Sequence, residues 1–206
     1  MEISLFPLGP LETNCYVLAN GTEAVVVDPG GDPAPVLAHV EKHGLTVTHI
    51  LNTHLHFDHT YGNKALAEAT GAPILASGED AYLLEDGLGR GGVMGLPTVP
   101  EYAFQAIEPG EFTFAGAGCT VFATPGHSAG SLTFHFPEAG VAFVGDLIFY
   151  RSIGRTDFAG GDLDRLKESV RRHIFTLPPE TVLYSGHGPE TTAGDEMNHN
   201  PFFTGF

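Results

Sequence analysis

The stretch Thr53-His54-Leu55-His56-Phe57-Asp58-His59 follows closely on the apolar residues Ile50 and Leu51 and places four candidate metal ligands within six residues. In an extended chain successive side chains alternate, so His54 and His56 face the same side. A turn can then present Asp58 and His59 from the opposite direction, and one short loop can serve two neighbouring ions. Imidazole and carboxylate donors suit Zn²⁺ or a similar first-row metal better than a hard ion such as Ca²⁺.

Outward from this loop, three further strand-like runs each lead to a residue that binds the same metals: 121–123 to His127, 141–144 to Asp146 and 182–184 to His187. Strand ends gather along one edge of a sheet. Gly126, Gly145, Gly186 and Gly188 permit the tight turns that aim such side chains inward. Any one of the three alone would usually be a structural histidine or a turn aspartate. Beside the first cluster they complete a ligand set of His54, His56, Asp58, His59, His127, Asp146 and His187.

The remaining text supplies a scaffold for these loops. Apolar stretches at 3–8, 15–18 and 25–27, separated by Gly, Pro and Asn, predict an antiparallel beginning. Asp32 and Pro33 start a helix whose stripe of Val36, Leu37 and Val40 ends near Gly44, before a strand at 47–51. A helix over 61–70 stopping at Gly71 and a strand at 73–76 follow. The Gly-rich stretch 78–101, with a short apolar piece at 81–84, predicts a small helix in a mobile excursion, a flap over the site. Strands return at 111–114, 119–123, 132–136 and 141–144, then a helix at 163–175 with Leu163, Leu166, Val170 and Ile174 on one face, then a strand at 182–184. Two runs of strands, each with helices, predict an α/β fold of two sheets with helices outside, in one domain spanning 1–206.

These motifs resemble the metallo-β-lactamase superfamily, whose HxHxDH pattern stands here as residues 54–59; the resemblance extends to Thr124-Pro125-Gly126-His127-Ser128, Gly145-Asp146 and Ser185-Gly186-His187-Gly188-Pro189. It implies a four-layer αββα sandwich. It also implies a two-metal site in which His54, His56 and His127 hold one ion, Asp58, His59 and His187 the other, and Asp146 bridges them. Within the superfamily, residues 152–158 (SIGRTDF), Gly160-Gly161-Asp162 and His199-Asn200-Pro201-Phe202 look like the glyoxalase II branch in its short, single-domain bacterial form. Arg155 matches a basic position that contacts glutathione in that family, whereas Asp157 stands where an aromatic contact is expected. Arg155 is thus either a substrate-binding residue or an ion-paired surface arginine.

Composition narrows the partners. Nine Lys and Arg against 25 Asp and Glu give a formal net charge of -16, which repels phosphate backbones and anionic membranes. No basic leader and no window approaching roughly 20 apolar residues is present, so a soluble, cytoplasmic protein is expected. Cys15 and Cys119 lie far apart without CxxC spacing and read as buried free thiols.

The implied activity is hydrolysis of an acyl thioester such as a 2-hydroxyacyl glutathione. Two divalent ions, zinc before iron or manganese, make water nucleophilic at neutral pH and stabilise the oxyanion, with Asp58 and Asp146 contributing charge and spacing. A thiol leaving group with a pKa of roughly 8.5 needs little acid catalysis. Three rivals stand beside this reading. A mononuclear iron persulfide dioxygenase shares the GRTDF-like stretch. A serine hydrolase is suggested by Gly126-His127-Ser128-Ala129-Gly130, which matches GxSxG, but residues 131–136 alternate like a strand where a nucleophile elbow needs a helix. A metal-binding module without turnover would be betrayed by missing ligands, and none is missing. The other histidines, His39, His43, His49, His135, His173 and His199, share no spacing and default to structural or surface roles.

Overall fold

A computed structural model describes residues 1–93 and 95–204. The chain forms two compact units, one of Met1–Ile107 with Thr113–Ala117, the other of Glu108–Phe112 with Gly118–Phe206. Among the described residues no helix is long and apolar enough to cross a membrane.

In the first unit, strands β1 (Glu2–Leu8), β2 (Thr13–Asn20) and β3 (Glu23–Val27) form the antiparallel beginning expected from their turn signals. Helix α1 (Ala34–His43) starts where the Asp32 carboxylate accepts the Ala34 N–H and ends at Gly44, whose φ of 62° is the left-handed cap. It returns the chain to β4 (Thr46–Leu51), which pairs parallel with β3 in the register Val27 to Leu51. Two segments therefore leave one edge side by side: Asp28 after β3, and residues 52–56, which bear candidate ligands, after β4. Because β2 runs antiparallel to β3 with Tyr16 opposite Val27, Thr13 at the start of β2 lies at that same edge.

The next element departs from expectation. Asp58 and His59 lie in a one-turn helix, α2 (Phe57–Thr60), and the predicted 61–70 helix begins later, as α3 (Asn63–Thr70). Gly62 separates them, because its N–H donates to Pro29 O (2.7 Å) and a Cβ there would overlap the carbonyls of Gly31 and Pro29. Strands β5 (Ile74–Ala76) and β6 (Gln105–Ala106) finish a six-stranded sheet in sequential order. Val17, Val26, Val36, Val40, Ile50, Leu66 and Ile74 form its apolar core with α1 and α3. Each such side chain contributes roughly 1.5–3 kcal/mol by leaving water.

The 78–101 excursion contains a 3₁₀ helix (Gly78–Glu85) and a short helix, α4 (Gly87–Arg90); Met94 within it lies outside the described residues. Its first half is not a free flap. Leu83 packs with Leu55 and Ala76, a Cβ on Gly89 would press on the carbonyls of Leu83 and Leu55, and buried Asp80 accepts the Leu55 N–H (3.2 Å). The excursion thus backs the metal-ligand loop.

In the second unit, β7 (Gly110–Phe114), β8 (Ala117–Ala123), β9 (Leu132–Phe136), β10 (Val141–Gly145), β13 (Val182–Ser185) and β14 (Thr191–Thr192) make the second six-stranded sheet. A small hairpin of β11 (Ile148–Phe149) and β12 (Ser152–Ile153) lies between β10 and helix α5 (Leu163–Ser169), which continues through a wider π turn to Ile174. Strands β8 and β10 both run antiparallel to β9, and β13 runs parallel to β10. All three consequently end at one edge, which is where His127, Asp146 and His187 begin. The predicted stripe of Leu166, Val170 and Ile174 is buried against Val144, Leu147 and Leu183, whereas Leu163 is exposed.

The last segment is more than a tail. Thr192 caps α6 (Ala193–His199), whose Glu196 is fully buried. Its carboxylate accepts from Arg151 Nη1 (2.6 Å), Arg151 N (3.0 Å), Thr191 Oγ1 (2.7 Å) and Asn200 Nδ2 (2.8 Å), fastening α6 to the β11–β12 hairpin.

Candidate metal centre

The seven candidate ligands divide between the units, four in the first and three in the second. In the first unit, ligand atoms of His54 lie within 4.8 Å of those of His56 and of His59, and those of Asp58 within 4.8 Å of His59. All four residues are buried. His56 is the N-cap of α2 in extended conformation, and Thr60 Oγ1 donates to its carbonyl (3.2 Å).

One relay of hydrogen bonds fixes the protons of two of these imidazoles. Asp28, 2% exposed at φ 50°, accepts the Thr53 N–H at Oδ1 (2.8 Å) and the Thr53 hydroxyl at Oδ2 (2.6 Å). A hydroxyl has a single proton, so once Thr53 Oγ1 donates to Asp28 it can only accept from His54 Nδ1, 3.1 Å away. His59 Nδ1 meets the same Asp28 Oδ2 at 3.0 Å and must also carry its proton. Both rings therefore present the lone pair on Nε2, the form a metal ion requires. His59 Nε2 lies 3.7 Å from Asp58 Oδ2, and Thr13 Oγ1 donates to that same oxygen (3.1 Å). Asn52 Nδ2 donates to His59 O (3.1 Å) and is held by Asn63 (2.8 Å), which closes the loop.

The second unit achieves the same end with main-chain groups. His127 sits in the β8–β9 connection, tied by Thr124 N to Ser131 O (2.8 Å) and Gly126 N to Ser128 O (3.0 Å). Its Nδ1 meets the carbonyl of Arg155 at 2.8 Å, an acceptor only, so His127 also presents Nε2 as a lone pair. Asp146 Oδ2 lies 3.6 Å from His127 Nε2 and 3.7 Å from His187 Nε2, between the two imidazoles. Gly154 is what allows this, because a Cβ there would overlap the Asp146 carbonyl. His187 follows β13, where Gly186 N donates to Gly145 O (2.9 Å).

The donor set suits divalent first-row ions: His54, His59 and His127 are held in the ligating tautomer, and the carboxylates of Asp58 and Asp146 carry charge that a cation would offset. Arg155 contributes its carbonyl to His127, while its guanidinium points to other work. Nε and Nη2 bind both Asp157 oxygens (2.8 and 2.7 Å) and the group stacks on Phe158, 3.7 Å from the ring centroid. This pairing holds the Asp157 carboxyl down at about 2. Ser128 is buried and shares a 2.7 Å hydrogen bond with Ser131, and the chain runs on into β9, so the strand-to-helix turn of a nucleophile elbow is absent. His199 pairs with Asp195 (3.0 Å) on exposed α6. Both cysteines are free and buried, and burial pushes the Cys15 thiol well up.

Asp28, Thr53, Thr13 and Asp80 escaped the sequence reading. Asp28 had a signal: it ends the apolar run 25–27 just as Asp146 ends 141–144.

The model of the family described as "Metallo-beta-lactamase superfamily" matches residues 8–187. Bacillus subtilis "Probable metallo-hydrolase YqgX" is 36% identical over 209 residues, covering 100% of this chain and 99% of that protein. Haemophilus influenzae "Hydroxyacylglutathione hydrolase GloC" is 32% identical over 209 residues, covering 98% of each. Among solved structures, the BLEG-1 B3 metallo-beta-lactamase shares 40% identity at TM-score 0.92, over 99% of this chain and 100% of that one. TTHA1623 in a di-iron-bound form shares 39% at TM-score 0.87, over 97% and 99%.

Proposed function

Since this chain belongs to the metallo-β-lactamase superfamily and has its α/β fold, we propose that it is a metal-dependent hydrolase that cleaves an acyl thioester of the 2-hydroxyacyl glutathione type. The seven ligands of both units would serve one two-metal centre, with zinc the proposed metal, and residues 1–206 would act as one hydrolase domain. The reading is carried by the relay from His54 through Thr53 and Asp28 to His59, which leaves Nε2 of both rings as the acceptor that a cation requires. The 32% identity to a hydroxyacylglutathione hydrolase supports the substrate class.

When bound, the ions supply Lewis acidity and make water nucleophilic at neutral pH. The protein's share is placement. Asp58 and Asp146 offset the ions' charge, and Asp28 and the Arg155 carbonyl hold the imidazoles. No general acid is needed for a leaving thiolate, whose conjugate acid has a pKa of roughly 8.5. Arg155 is the candidate for an anionic end of the substrate, in competition with Asp157. The acidic balance supports a small-molecule substrate over nucleic acid or a membrane, and two buried free thiols suit the reducing cytoplasm.

A second reading, a persulfide dioxygenase using one iron, is favoured by the Gly154–Phe158 stretch; the two irons of the 39% identical structure bear on the metal and not on a single-iron site. Metal analysis of protein isolated without added metal, paired with assays on a thioester, glutathione persulfide and a β-lactam, separates the possibilities. Zinc with chelator-sensitive thioester cleavage is the expected result. Fully metallated protein inert toward thioesters sinks the proposal, and one iron with oxygen uptake on the persulfide replaces it.

A further inference from the structure

The basic residues of this acidic chain are unevenly spread. Arg165, Lys167, Arg171 and Arg172, four of its nine, fall within eight residues on α5 and the π turn after it. Arg165 and Arg172 line a cavity of about 400 Å³ in the second unit, together with His173, Glu168 and Phe122, whose side chain lies on the outward face of β8. Among the described residues neither guanidinium has an ion pair or side-chain hydrogen bond, although Glu168 stands three and four residues away on the same helix. His173 stacks on the Phe122 ring at 4.9 Å, forming a flat wall beside the charges.

Two exposed guanidiniums line this one cavity and concentrate positive charge in a chain of formal net charge -16. An anion between them would be held by charge-assisted, two-pronged hydrogen bonds. The half-buried ring of Phe122 offers contact to an apolar body attached to that anion.

We propose that this cavity is a second ligand site, specific for a small organic anion in which a carboxylate or phosphate monoester is joined to a flat apolar group. Arg165 and Arg172 bind the anionic oxygens, and the ring of Phe122 takes the apolar part. Glu168 opposes the charge and sets an upper limit on affinity. The site lies behind the loop that bears His127: Ser169, also lining the cavity, donates to Pro125 O (2.8 Å), and Gly126 is close against Leu166.

Calorimetric titration of the full chain with phenyl phosphate, benzoate and inorganic phosphate tests this directly, without reference to any turnover. Saturable binding of phenyl phosphate or benzoate, tighter than that of inorganic phosphate, is expected. Arg165→Gln and Arg172→Gln, both at exposed side chains that the fold does not need, should each weaken it about tenfold or more. Glu168→Gln should tighten it, and Arg171→Gln, whose side chain points to Phe203 rather than to the cavity, should leave it unchanged. Absence of saturable binding for all three probes overturns the proposal. So does equal weakening by Arg171→Gln, which would mean a diffuse ionic effect, or equal affinity for inorganic phosphate and the phenyl compounds, which would remove the apolar subsite.

Discussion

The two units carry the same kind of cargo by opposite means. In the first, four candidate ligands occupy one continuous segment and are steadied by side chains, Asp28 and Thr53 behind the imidazoles and Thr13 beside Asp58. In the second, three candidate ligands come from three strand ends and are steadied by backbone: the Arg155 carbonyl on His127, and the close approach of Gly154 to Asp146. A side chain can be deleted by mutation, whereas a carbonyl cannot. The difference therefore predicts which substitutions the centre will feel.

Both units share one backbone device, and it should give the largest effects. A Cβ on Gly30 would overlap the Asp58 carbonyl as one on Gly154 would overlap that of Asp146, and neither glycine has a positive φ to complicate the comparison. Gly30→Ala and Gly154→Ala are each expected to cost about 3 kcal/mol or more in denaturant unfolding, because backbone rather than a flexible side chain must move. Gly118→Ala, with nothing within 4 Å, should stay within about 0.5 kcal/mol. A Gly30→Ala protein as stable as Gly118→Ala would show that the ligand carbonyls are free to shift.

Next in size is the side-chain network around Glu196 in the second unit. The β11–β12 hairpin that leads to Gly154 and Arg155 is fastened by Arg151 to fully buried Glu196. Arg151→Ala removes the cation from that buried carboxylate while three of its donors remain, and a loss of about 2–3 kcal/mol is expected, below the usual range because of those donors and because the arginine side chain is 30% exposed. A change in unfolding free energy too small to measure would mean that Glu196 is neutralised by its other partners.

How much of this was legible follows from the same contrast. The first-unit candidates stand out because four donors in six residues are unusual for a structural loop, and His127, Asp146 and His187 are legible as strand ends. Asp28 was legible in principle by the same rule and was passed over because its neighbours are Pro29 and Gly30, which read as a simple turn. The Arg155 carbonyl was not legible at all, since a main-chain acceptor leaves no mark on residue identity. Helix α6 was hidden because its anchor is a glutamate; buried Glu196 looks in sequence like any surface acid. The flap expectation failed for a similar reason, with Asp80 and Gly89 tying an apparently loose, Gly-rich excursion to Leu55.

Asp28→Asn tests the relay. An amide offers one acceptor oxygen where the carboxylate accepts three hydrogen bonds, so either Thr53 or His59 must face an N–H and the tautomer is no longer fixed. Metal affinity, measured by competition with a chelating dye, should fall about 10–100-fold. Retention of full affinity would mean that the imidazoles are oriented by the metal alone.

Arg155→Ala is the counterpart in the second unit and should have the smallest effect on the metal, since the carbonyl that holds His127 remains. Competition with the same dye should find its affinity unchanged, while the Michaelis constant for an anionic thioester rises if the guanidinium meets the substrate. The guanidinium's local effect can be read on Asp157. Arg155 lowers that carboxyl from 3.8 to about 2, so the pair's contribution is present above 3.8 and is lost as pH falls toward 2. In Arg155→Ala the Asp157 carboxyl should titrate higher, back toward its ordinary range, visible as a moved midpoint in its ¹³C resonance. An unmoved midpoint would assign the lowering to Asp157's own backbone N–H or to His127, the remaining groups that favour its charged form, and would release Arg155 for substrate.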